Sequence, residues 1–241
     1  MDKPLKIVSF NVKCAWYGKT LDQVAALLKE MDGDIVGLQE LDVATRRSLK
    51  HCDVANQLQY IAEKAGYPYW SYSKVLDYQG GFYGHGIISK HPIVREEIIW
   101  PEAQIEVGEV RNVGRYEIDY NGKLVTFYNC HLNGKLGFLQ YQEVQDRFMV
   151  NEQYPIFVGD MNTRPEQLKG HLDTESFISL TGGVDLNAFI KTSGGGNAID
   201  HIILSRKTME YELDGTETGL HVVPHGGASD HNLVYALVHL K

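Results

Sequence analysis

The chain has 241 residues, 43% of them apolar, and a formal net charge of −8 at pH 7. Such a chain buries a large core, and its length fits one domain over residues 1–241. The acidic balance disfavours tight, nonspecific binding of a nucleic acid backbone. It is compatible with a local basic patch or with a small anionic substrate held through a metal.

The sequence predicts no targeting segment. No apolar run reaches the roughly 18 residues that a membrane-spanning helix requires. The N-terminal residues lead into a predicted strand without a signal peptide, and the three cysteines are scattered without metal-ligand spacing. These features predict a cytoplasmic protein, unless a leader was trimmed.

Polar side chains stand at the ends of the first two predicted strands. Leu5–Val12 predicts a strand with Asn11 near its end, and Asp34–Glu40 predicts a second strand that ends at a carboxylate. A helix that begins at Thr20 lies between them. Asparagine at a strand end is most often a turn former, so Asn11 alone indicates little.

A short cationic segment, Thr45–His51, follows the second strand. One interpretation is a solvated surface loop. The alternative is a clamp in which Arg47 binds a phosphate or carboxylate of the substrate. An amphipathic helix from Val54 to Ala65 comes next, and Gly66 ends it.

The middle of the chain predicts a series of strands, at Tyr69–Ser73, Gly84–Ser89, Val94–Trp100, Val113–Tyr120 and Leu124–Leu132. Asn121-Gly122 between the last two is a strong signal for a two-residue hairpin. Part of the sheet is therefore antiparallel, which argues against a purely parallel doubly wound fold. The final strand of the series runs to His131, an imidazole able to transfer protons.

The C-terminal half contains three more strands flanked by polar groups. A buried run at 155–158 leads to a carboxylate and an amide, a strand at 199–205 has a carboxylate at its start, and a strand at 233–240 follows a carboxylate and an imidazole. The residues concerned are Asp160, Asn162, Asp200, Asp230 and His231. Helical pieces are predicted at 138–150, 166–172 and 175–180. The glycine-rich segment 193–197 lacks the context of a nucleotide-binding loop.

Together these side chains suit metal-dependent phosphoryl chemistry. Oxygens of Asn11, Glu40 and Asp230 are the kind of ligand that a hard cation prefers. Imidazoles near carboxylates transfer protons, and amides hold phosphoryl oxygens. The sequence contains no Gly-x-Ser-x-Gly motif and no cysteine-histidine cluster for zinc.

Six motifs occur in a fixed order: Ser-Phe-Asn at 9–11, Leu-Gln-Glu at 38–40, Asn-Cys-His-Leu at 129–132, Gly-Asp-Met-Asn at 159–162, Ile-Asp-His-Ile at 199–202 and Ser-Asp-His at 229–231. In this order they resemble the endonuclease/exonuclease/phosphatase superfamily. The resemblance covers essentially the whole chain. It implies an α+β fold, a four-layer α/β/β/α sandwich of two packed mixed β-sheets with outer helices, like that of deoxyribonuclease I.

The resemblance also implies a metal site. Glu40 would be the main ligand, with Asn11 and Asp230 beside it. The metal would be Mg²⁺, with Mn²⁺ as the alternative. The sequence leaves open whether one or two metal ions act.

Catalytic roles follow from the same resemblance. His231 would be the general base or would stabilise the pentavalent state, and Asp200 would orient its ring. Asp160 and Asn162 would position the attacking water or the phosphoryl oxygens, with Asp160 as a proton handler. His131 would be the second imidazole, near the leaving group.

Three further residues are candidates for substrate binding. Arg111 matches a frequent arginine of the family, whereas His85 stands where the family usually has Asn or Glu. The segment at 39–48, which includes Arg47, resembles that of a group of small bacterial hydrolases without an assigned substrate.

Three functions are candidates for a chain with these residues. The first is a Mg²⁺-dependent phosphodiesterase or phosphomonoesterase that hydrolyses a small or lipid-derived phosphoester by in-line attack of water. The second is a DNA or RNA nuclease in which Arg46, Arg47 and Lys50 grip the backbone; short loops and the lack of a basic and aromatic stripe disfavour it. The third is a non-catalytic binding domain, which the complete catalytic set disfavours.

Overall fold

Two β-sheets packed face to face form the centre of the computed structural model, which describes residues 3–106, 108–213, 215–216 and 218–241. The helices are α1 (Lys13–Gly18), α2 (Leu21–Met31), α3 (Arg46–Leu49), α4 (Gln57–Ala65) and α5 (Gly137–Arg147). The strands are β1 (Leu5–Asn11), β2 (Ile35–Val43), β3 (Tyr69–Tyr78), β4 (Gly81–Ser89), β5 (Ile93–Ile99), β6 (Val113–Tyr120), β7 (Lys123–His131), β8 (Pro155–Asp160), β9 (Phe177–Ser179), β10 (Asp200–Ser205), β11 (Met209–Tyr211), β12 (His221–Val223) and β13 (Leu233–Leu240).

Both sheets are mixed. The first sheet has the order β11-β13-β1-β2-β4-β3, with β12 also paired to β13, and the second has the order β5-β6-β7-β8-β10-β9. In the first sheet β1 and β2 are parallel, and in the second β7 and β8 are parallel. The hairpin predicted at Asn121-Gly122 is confirmed, because β6 and β7 pair antiparallel and both turn residues have positive φ.

Helices cover the outer face of each sheet. Between the sheets, Ile7 and Ile35 of the first pack with Phe127 and Ile156 of the second. The helices α2 and α4 bury apolar side chains against the outer face of β1 and β2, and α5 does the same against β7 and β8. The predicted four-layer α+β sandwich is therefore confirmed. Within the described part of the chain, no helix is long and apolar enough to cross a membrane.

One predicted helix is a strand. Residues 175–180 were expected to be helical, but Phe177–Ser179 forms β9, which pairs with β10 at the edge of the second sheet. Phe177 and Ile178 are both buried there. Tertiary burial of two adjacent apolar side chains, one on each face, therefore overrides the local helical pattern.

The sheets bring the ends of their central strands together. Parallel neighbours present their carboxyl ends at the same edge, so the ends of β1 and β2 meet those of β7 and β8 across the sandwich. In the second sheet, His131 is in register with Asp160, and Asp160 is in register with Asp200. Three of the predicted site residues therefore lie side by side on adjacent strands.

Glu40 lies within a strand, not at its end as predicted. The strand β2 continues to Val43, and its pairing with β4 shifts between Leu38 and Leu41. Glu40 has a φ of 55° at this shift. A bulge of this kind adds a residue to one strand and redirects a side chain. Because of this bulge, the Glu40 side chain does not follow the regular alternation of side chains between the two faces of the strand.

Candidate active site

A row of four side chains forms the centre of the site: His131, Asp160, Asp200 and His231, referred to below as the His/Asp row. The Nδ1 atom of His231 lies 2.9 Å from Asp200 Oδ2. The Nε2 atoms of His231 and His131 lie 3.6 Å and 3.7 Å from Asp160 Oδ2. Asp160 therefore lies between two imidazoles, and Asp200 holds one of them.

The charges in the row depend on one another. Burial raises the pKa of Asp160 to about 7, and the negative charge of Asp200 adds to this shift. Burial alone would lower the pKa of His231, but the charge and hydrogen bond of Asp200 outweigh it and raise that pKa to about 9. At neutral pH His231 is therefore an imidazolium, while Asp160 gains and loses its proton readily.

His131 is held as the neutral tautomer. Arg111 Nη1 lies 3.2 Å from its Nδ1, and the Tyr83 hydroxyl lies 3.3 Å from the same atom. A guanidinium only donates, so Nδ1 accepts and Nε2 carries the hydrogen. Burial and the charge of Arg111 lower the pKa of His131 well below its usual value. The Nε2–H group of His131 therefore faces Asp160.

Asn11 links the two sheets at the site. Its Nδ2 donates to Glu40 Oε1 at 2.9 Å and to Asp160 Oδ2 at 3.0 Å. Its Oδ1, predicted as a metal ligand, accepts from the backbone N–H of Lys13 at 3.0 Å. In this arrangement Asn11 orients two carboxylates through its nitrogen. Burial raises the pKa of the Glu40 carboxyl above its ordinary value, and the hydrogen bond from Asn11 opposes that shift.

Lys13 binds Asp230, one of the predicted metal ligands. The lysine begins α1, in which residues 13–17 all have φ between 45° and 65°. Left-handed geometry costs non-glycine residues about 1–2 kcal/mol each, so single residues are its usual extent. The Lys13 ammonium also lies 4.6 Å from the centre of the Trp16 ring. This turn therefore places a cation and an aromatic ring at the edge of the site.

Asn162 shapes the turn after β8. It has a φ of 48°, a conformation that asparagine adopts more easily than most residues. Its backbone N–H donates to Asp160 Oδ1 at 2.9 Å, and its side chain donates to the carbonyl of Leu132 at 3.1 Å. It therefore fixes the Asp160 carboxylate and joins the ends of β7 and β8.

The residues of the site fit a hard divalent cation. Among the described residues, two groups have possible ligand atoms within 4.8 Å of one another: Glu40, His131 and Asp160; and Asp160, Asp200 and His231. Asp230 belongs to neither group. Asp160 is shared by both groups, so three carboxylates and two imidazoles converge at one point, and burial raises the pKa of Glu40 there. Carboxylate oxygens are the ligands that Mg²⁺ prefers.

Comparison with known families decides the identity. The family model described as "Endonuclease/Exonuclease/phosphatase family" matches residues 8–231. The chain belongs to the endonuclease/exonuclease/phosphatase family. Members of the family hydrolyse phosphoesters with the help of a metal, so the protein is a metal-dependent phosphoester hydrolase. A search of curated protein sequences found no match.

Solved structures share the fold of this family member. Humanized D. rerio TDP2 is 17% identical, with a TM-score of 0.74 over 99% of this chain and 100% of that one. An endonuclease/exonuclease/phosphatase from Bacteroides vulgatus is 17% identical, with a TM-score of 0.71 over 100% of both chains. The mannosyl-6-phosphatase Bt3783 of Bacteroides thetaiotaomicron is 17% identical, with a TM-score of 0.66 over 98% and 99%.

Arg47, a predicted substrate clamp, is held by its own chain. Its Nε and Nη2 atoms donate to the two oxygens of Asp42, each at 2.8 Å. The guanidinium carbon lies 4.6 Å from the centre of the Tyr78 ring and 5.5 Å from that of Tyr83. Asp42 is completely buried. The remaining exposed part of Arg47 lines a cleft that borders Glu40 and His131.

His85, predicted as a substrate-binding residue, lies behind the site. It is completely buried, and its Nε2 lies 2.7 Å from Asn112 Oδ1. Burial lowers the pKa of His85 to about 4, so the ring is neutral. Its Nδ1 lies 3.4 Å from Asn129 Nδ2 in the other sheet. His85 therefore fixes Asn112, the neighbour of Arg111, and joins the sheets behind the site.

Four residues around the site escaped the sequence interpretation: Lys13, Asp42, Tyr83 and Glu109. Tyr83 lies two positions before His85 in β4, so strand alternation could have placed it on the same face of the sheet, and Lys13 directly follows the polar end of β1. Glu109 accepts from Arg111 at 2.8 Å but lies in a segment without a periodic pattern. No signal in the sequence pointed to it.

Proposed function

We propose that the protein is a Mg²⁺-dependent phosphoesterase that hydrolyses a phosphodiester or phosphomonoester of a small or lipid-derived substrate by in-line attack of water. The observation that carries this proposal is the His/Asp row, in which Asp160 lies within 3.7 Å of two imidazole Nε2 atoms. Glu40 is bound to the same Asn11 amide as Asp160. Proton transfer and binding of a cation are thereby combined at one point.

Asp160 is the proposed general base. Its pKa of about 7 lies near neutral pH. A base with such a pKa is deprotonated in a large share of the molecules and still accepts a proton readily. The hydrogen bonds from Asn11 and from the backbone of Asn162 leave its carboxylate in one orientation. A water molecule beside Asp160 Oδ2 would be held there for attack on phosphorus.

The two imidazoles have different proposed roles. His231, with a pKa of about 9, is charged at neutral pH and stabilises negative charge on the phosphoryl group or donates a proton to the departing oxygen. His131 is neutral and offers its Nε2–H to a phosphoryl oxygen. Its lowered pKa keeps the ring neutral, so His131 donates a hydrogen bond and has no imidazolium proton to give to the leaving group, near which the family resemblance places it.

The metal has one role in this proposal. A divalent cation bound by Glu40, with Asp230 beside it, would neutralise charge on the phosphoryl oxygens. Mg²⁺ is proposed because the donors are carboxylate oxygens, and Mn²⁺ accepts the same ligands. Lys13, which now binds the Asp230 carboxylate, would have to leave it for Asp230 to hold the cation.

The test is hydrolysis by chelator-treated protein to which Mg²⁺ or Mn²⁺ is restored. The substrates are p-nitrophenyl phosphate for monoesters and bis(p-nitrophenyl) phosphate for diesters. We expect Glu40→Gln, Asp160→Asn and His231→Ala each to lower kcat/KM by about 10³-fold or more. Glu63→Gln, on the exposed side of α4, is the matched control and retains activity. Near-normal turnover in all three site variants would refute the proposal.

A nuclease is the second candidate. D. rerio TDP2 has been solved with a single-strand DNA product, and it is 17% identical to this chain with a TM-score of 0.72. The acidic charge of the chain and the use of Arg47 by Asp42 disfavour this function. Fluorescence anisotropy with single- and double-stranded DNA at low salt tests it. A nuclease would bind with steep salt dependence.

A further inference from the structure

Two neighbouring strands on one side of the sandwich are edge strands. In the part of the chain that the structure describes, β3 pairs with β4 alone and β5 pairs with β6 alone. The two edges border each other, because the hydroxyl of Ser71 in β3 donates to the carboxylate of Glu96 in β5. The backbone groups on the outer side of β5 are therefore available to a further strand. We call the residues Ile93–Ile99 the β5 edge.

Apolar side chains are exposed along this side of the molecule. Val94 and Ile98 of the β5 edge are 56% and 41% exposed, and Trp100 directly after it is 49% exposed. Tyr69 and Trp70 of β3 are also exposed, and with Val94 they line a groove of about 320 Å³ between the two edges. A group of exposed apolar side chains marks an interaction surface, whereas scattered ones do not.

The charges of the β5 edge follow a definite order. Arg95 and Glu97 lie on the same face of the sheet, two positions apart. Arg95 is in register with Glu117 of β6, and Glu97 is in register with Arg115, each pair at 3.7 Å. Charges on an edge strand prevent pairing with most other strands. This order favours only a strand that offers the opposite charges in the reverse direction.

A second copy of β5 in antiparallel orientation offers that order. When the register is centred on Glu96, Arg95 lies opposite Glu97 of the second copy, and the same pair recurs on the other side of the twofold axis. Each row of charges then alternates across four strands, from β6 of one copy to β6 of the other. Moving the axis by one residue would place Arg95 opposite Arg95, or Glu97 opposite Glu97. Opposite charges therefore favour this register over its neighbours.

The apolar residues fit the same register. Val94 comes opposite Ile98 of the second copy, so two exposed side chains of each copy become covered. The pairing of β5 with β6 is irregular between Ile93 and Arg95, so Val94 lies at the end of the shared ladder. Cross-strand pairs of β-branched side chains stabilise a sheet.

One pair in this register is unfavourable. Glu96 lies opposite Glu96 of the second copy, and like charges directly opposite one another destabilise paired strands. The hydrogen bond from Ser71 occupies one carboxylate oxygen of each Glu96 but leaves its charge in place. Association through the β5 edge is therefore weakened at its centre, and removal of this charge should strengthen it.

We propose that the protein associates into a symmetric dimer through antiparallel pairing of two β5 edges. The pairing joins the two six-stranded sheets into one continuous sheet. Because the twofold axis closes the assembly, each copy uses its β5 edge once and no fibre grows through it. The dimer uses none of the catalytic residues and does not depend on the proposed function.

The experiment is sedimentation velocity of the full chain at protein concentrations from about 1 μM to about 500 μM, which cover weak association. We expect a shift from monomer to dimer as the concentration rises. Arg95→Glu and Glu97→Arg should each raise the dissociation constant by about tenfold or more, because two attractive pairs become two repulsive pairs. Lys29→Glu, a charge reversal on the exposed side of α2, is the control and should dimerise like the wild type.

An equimolar mixture of the Arg95→Glu and Glu97→Arg proteins is the decisive sample. The acidic edge of one variant then faces the basic edge of the other, so the mixture should be dimeric at concentrations where each variant alone is monomeric. This rescue also shows that both variants are folded. Glu96→Gln should lower the dissociation constant of the dimer by up to about fivefold.

Three results would overturn the inference. The first is a wild-type chain that stays monomeric at every concentration. The second is a dimer that neither charge reversal weakens, since its interface would lie elsewhere. The third is a mixture of the two charge-reversed proteins that is no more dimeric than its components, because the pairing of Arg95 with Glu97 of the second copy would then be wrong.

Discussion

Asp200 accepts a hydrogen bond from His231 Nδ1 at 2.9 Å, and its backbone is in register with that of Asp160. One carboxylate therefore acts on two catalytic groups. Burial raises the pKa of Asp160, and the charge of Asp200 raises it further, to about 7. The same charge overcomes the effect of burial on His231 and raises its pKa to about 9.

Asp200→Asn should move the whole pH–rate profile to lower pH. The active form has Asp160 deprotonated and His231 protonated, so activity rises through the pKa of the first and falls through that of the second. Without the charge of Asp200 both pKa values fall, and both limbs shift in the acid direction. We also expect kcat to fall by about 10²-fold, because the imidazolium loses its stabilising partner.

The measurement is kcat/KM from pH 5 to pH 10, with the His231 pKa followed by NMR. Asp119→Asn is the control, since that residue lies near the end of β6 and its carboxylate accepts from the backbone N–H of Gly122. A profile that keeps both limbs in place in the Asp200 variant would contradict the assignment of these two groups.

Glu40→Gln should abolish stabilisation by Mg²⁺. Burial raises the pKa of Glu40, so the native protein binds a proton more tightly than the unfolded chain does. Stability from this group is present below the ordinary pKa and is lost as pH rises through the folded-state pKa. A bound cation offsets that loss at neutral pH, because ligands that bind only the native state raise its stability.

Thermal unfolding at pH 7.5 with and without 5 mM Mg²⁺ measures this effect. We expect a rise in Tm of several degrees in the wild type and none in Glu40→Gln. The metal-free variant should be at least as stable as the metal-free wild type. Glu63→Gln should respond to Mg²⁺ like the wild type. An undiminished rise in the Glu40 variant would place the cation elsewhere.

Arg47→Met should destabilise the fold even though the side chain borders the cleft. The substitution leaves the fully buried carboxylate of Asp42 without its bidentate partner. Breaking a buried pair on one side costs about 3–5 kcal/mol, and the exposed edge of Arg47 places the expected loss near 3 kcal/mol. Urea unfolding of Arg47→Met, Asp42→Asn and the double variant measures the coupling. If the losses in unfolding free energy of the two single variants sum to the loss in the double variant, Arg47 and Asp42 do not stabilise the fold as a pair.

Much of the site was readable from the sequence because strand ends carry the chemistry. Asp160 and Asp200 stand at the junction of a buried run and a polar residue, and parallel or antiparallel pairing brings such junctions together. The hairpin at Asn121-Gly122 was predictable because its turn requires residues that tolerate positive φ. These features depend on local pattern, which the sequence contains.

Features that depend on tertiary contacts were not readable. The bulge at Glu40 arises from pairing with β4, and the residue pattern of β2 does not predict it. The burial of His85 depends on Asn112 and Asn129, which lie on other segments. Arg47 looked like a free cation because its partner Asp42 could not be recognised as buried without the fold.

Lys13→Gln should strengthen the binding of Mg²⁺. The Lys13 ammonium binds the Asp230 carboxylate and therefore competes with a cation for a predicted ligand. Gln is shorter than Lys and removes its charge, so Asp230 becomes available without displacement of lysine. An exposed ion pair contributes about 0.2–1 kcal/mol, which corresponds to a rise in affinity of up to about fivefold. Isothermal titration calorimetry with Mg²⁺ measures it, and Lys19→Gln, an exposed neighbour, is the control. Weaker binding in the Lys13 variant would mean that the lysine supports the metal site by positioning Asp230, and competition between the two cations would be excluded.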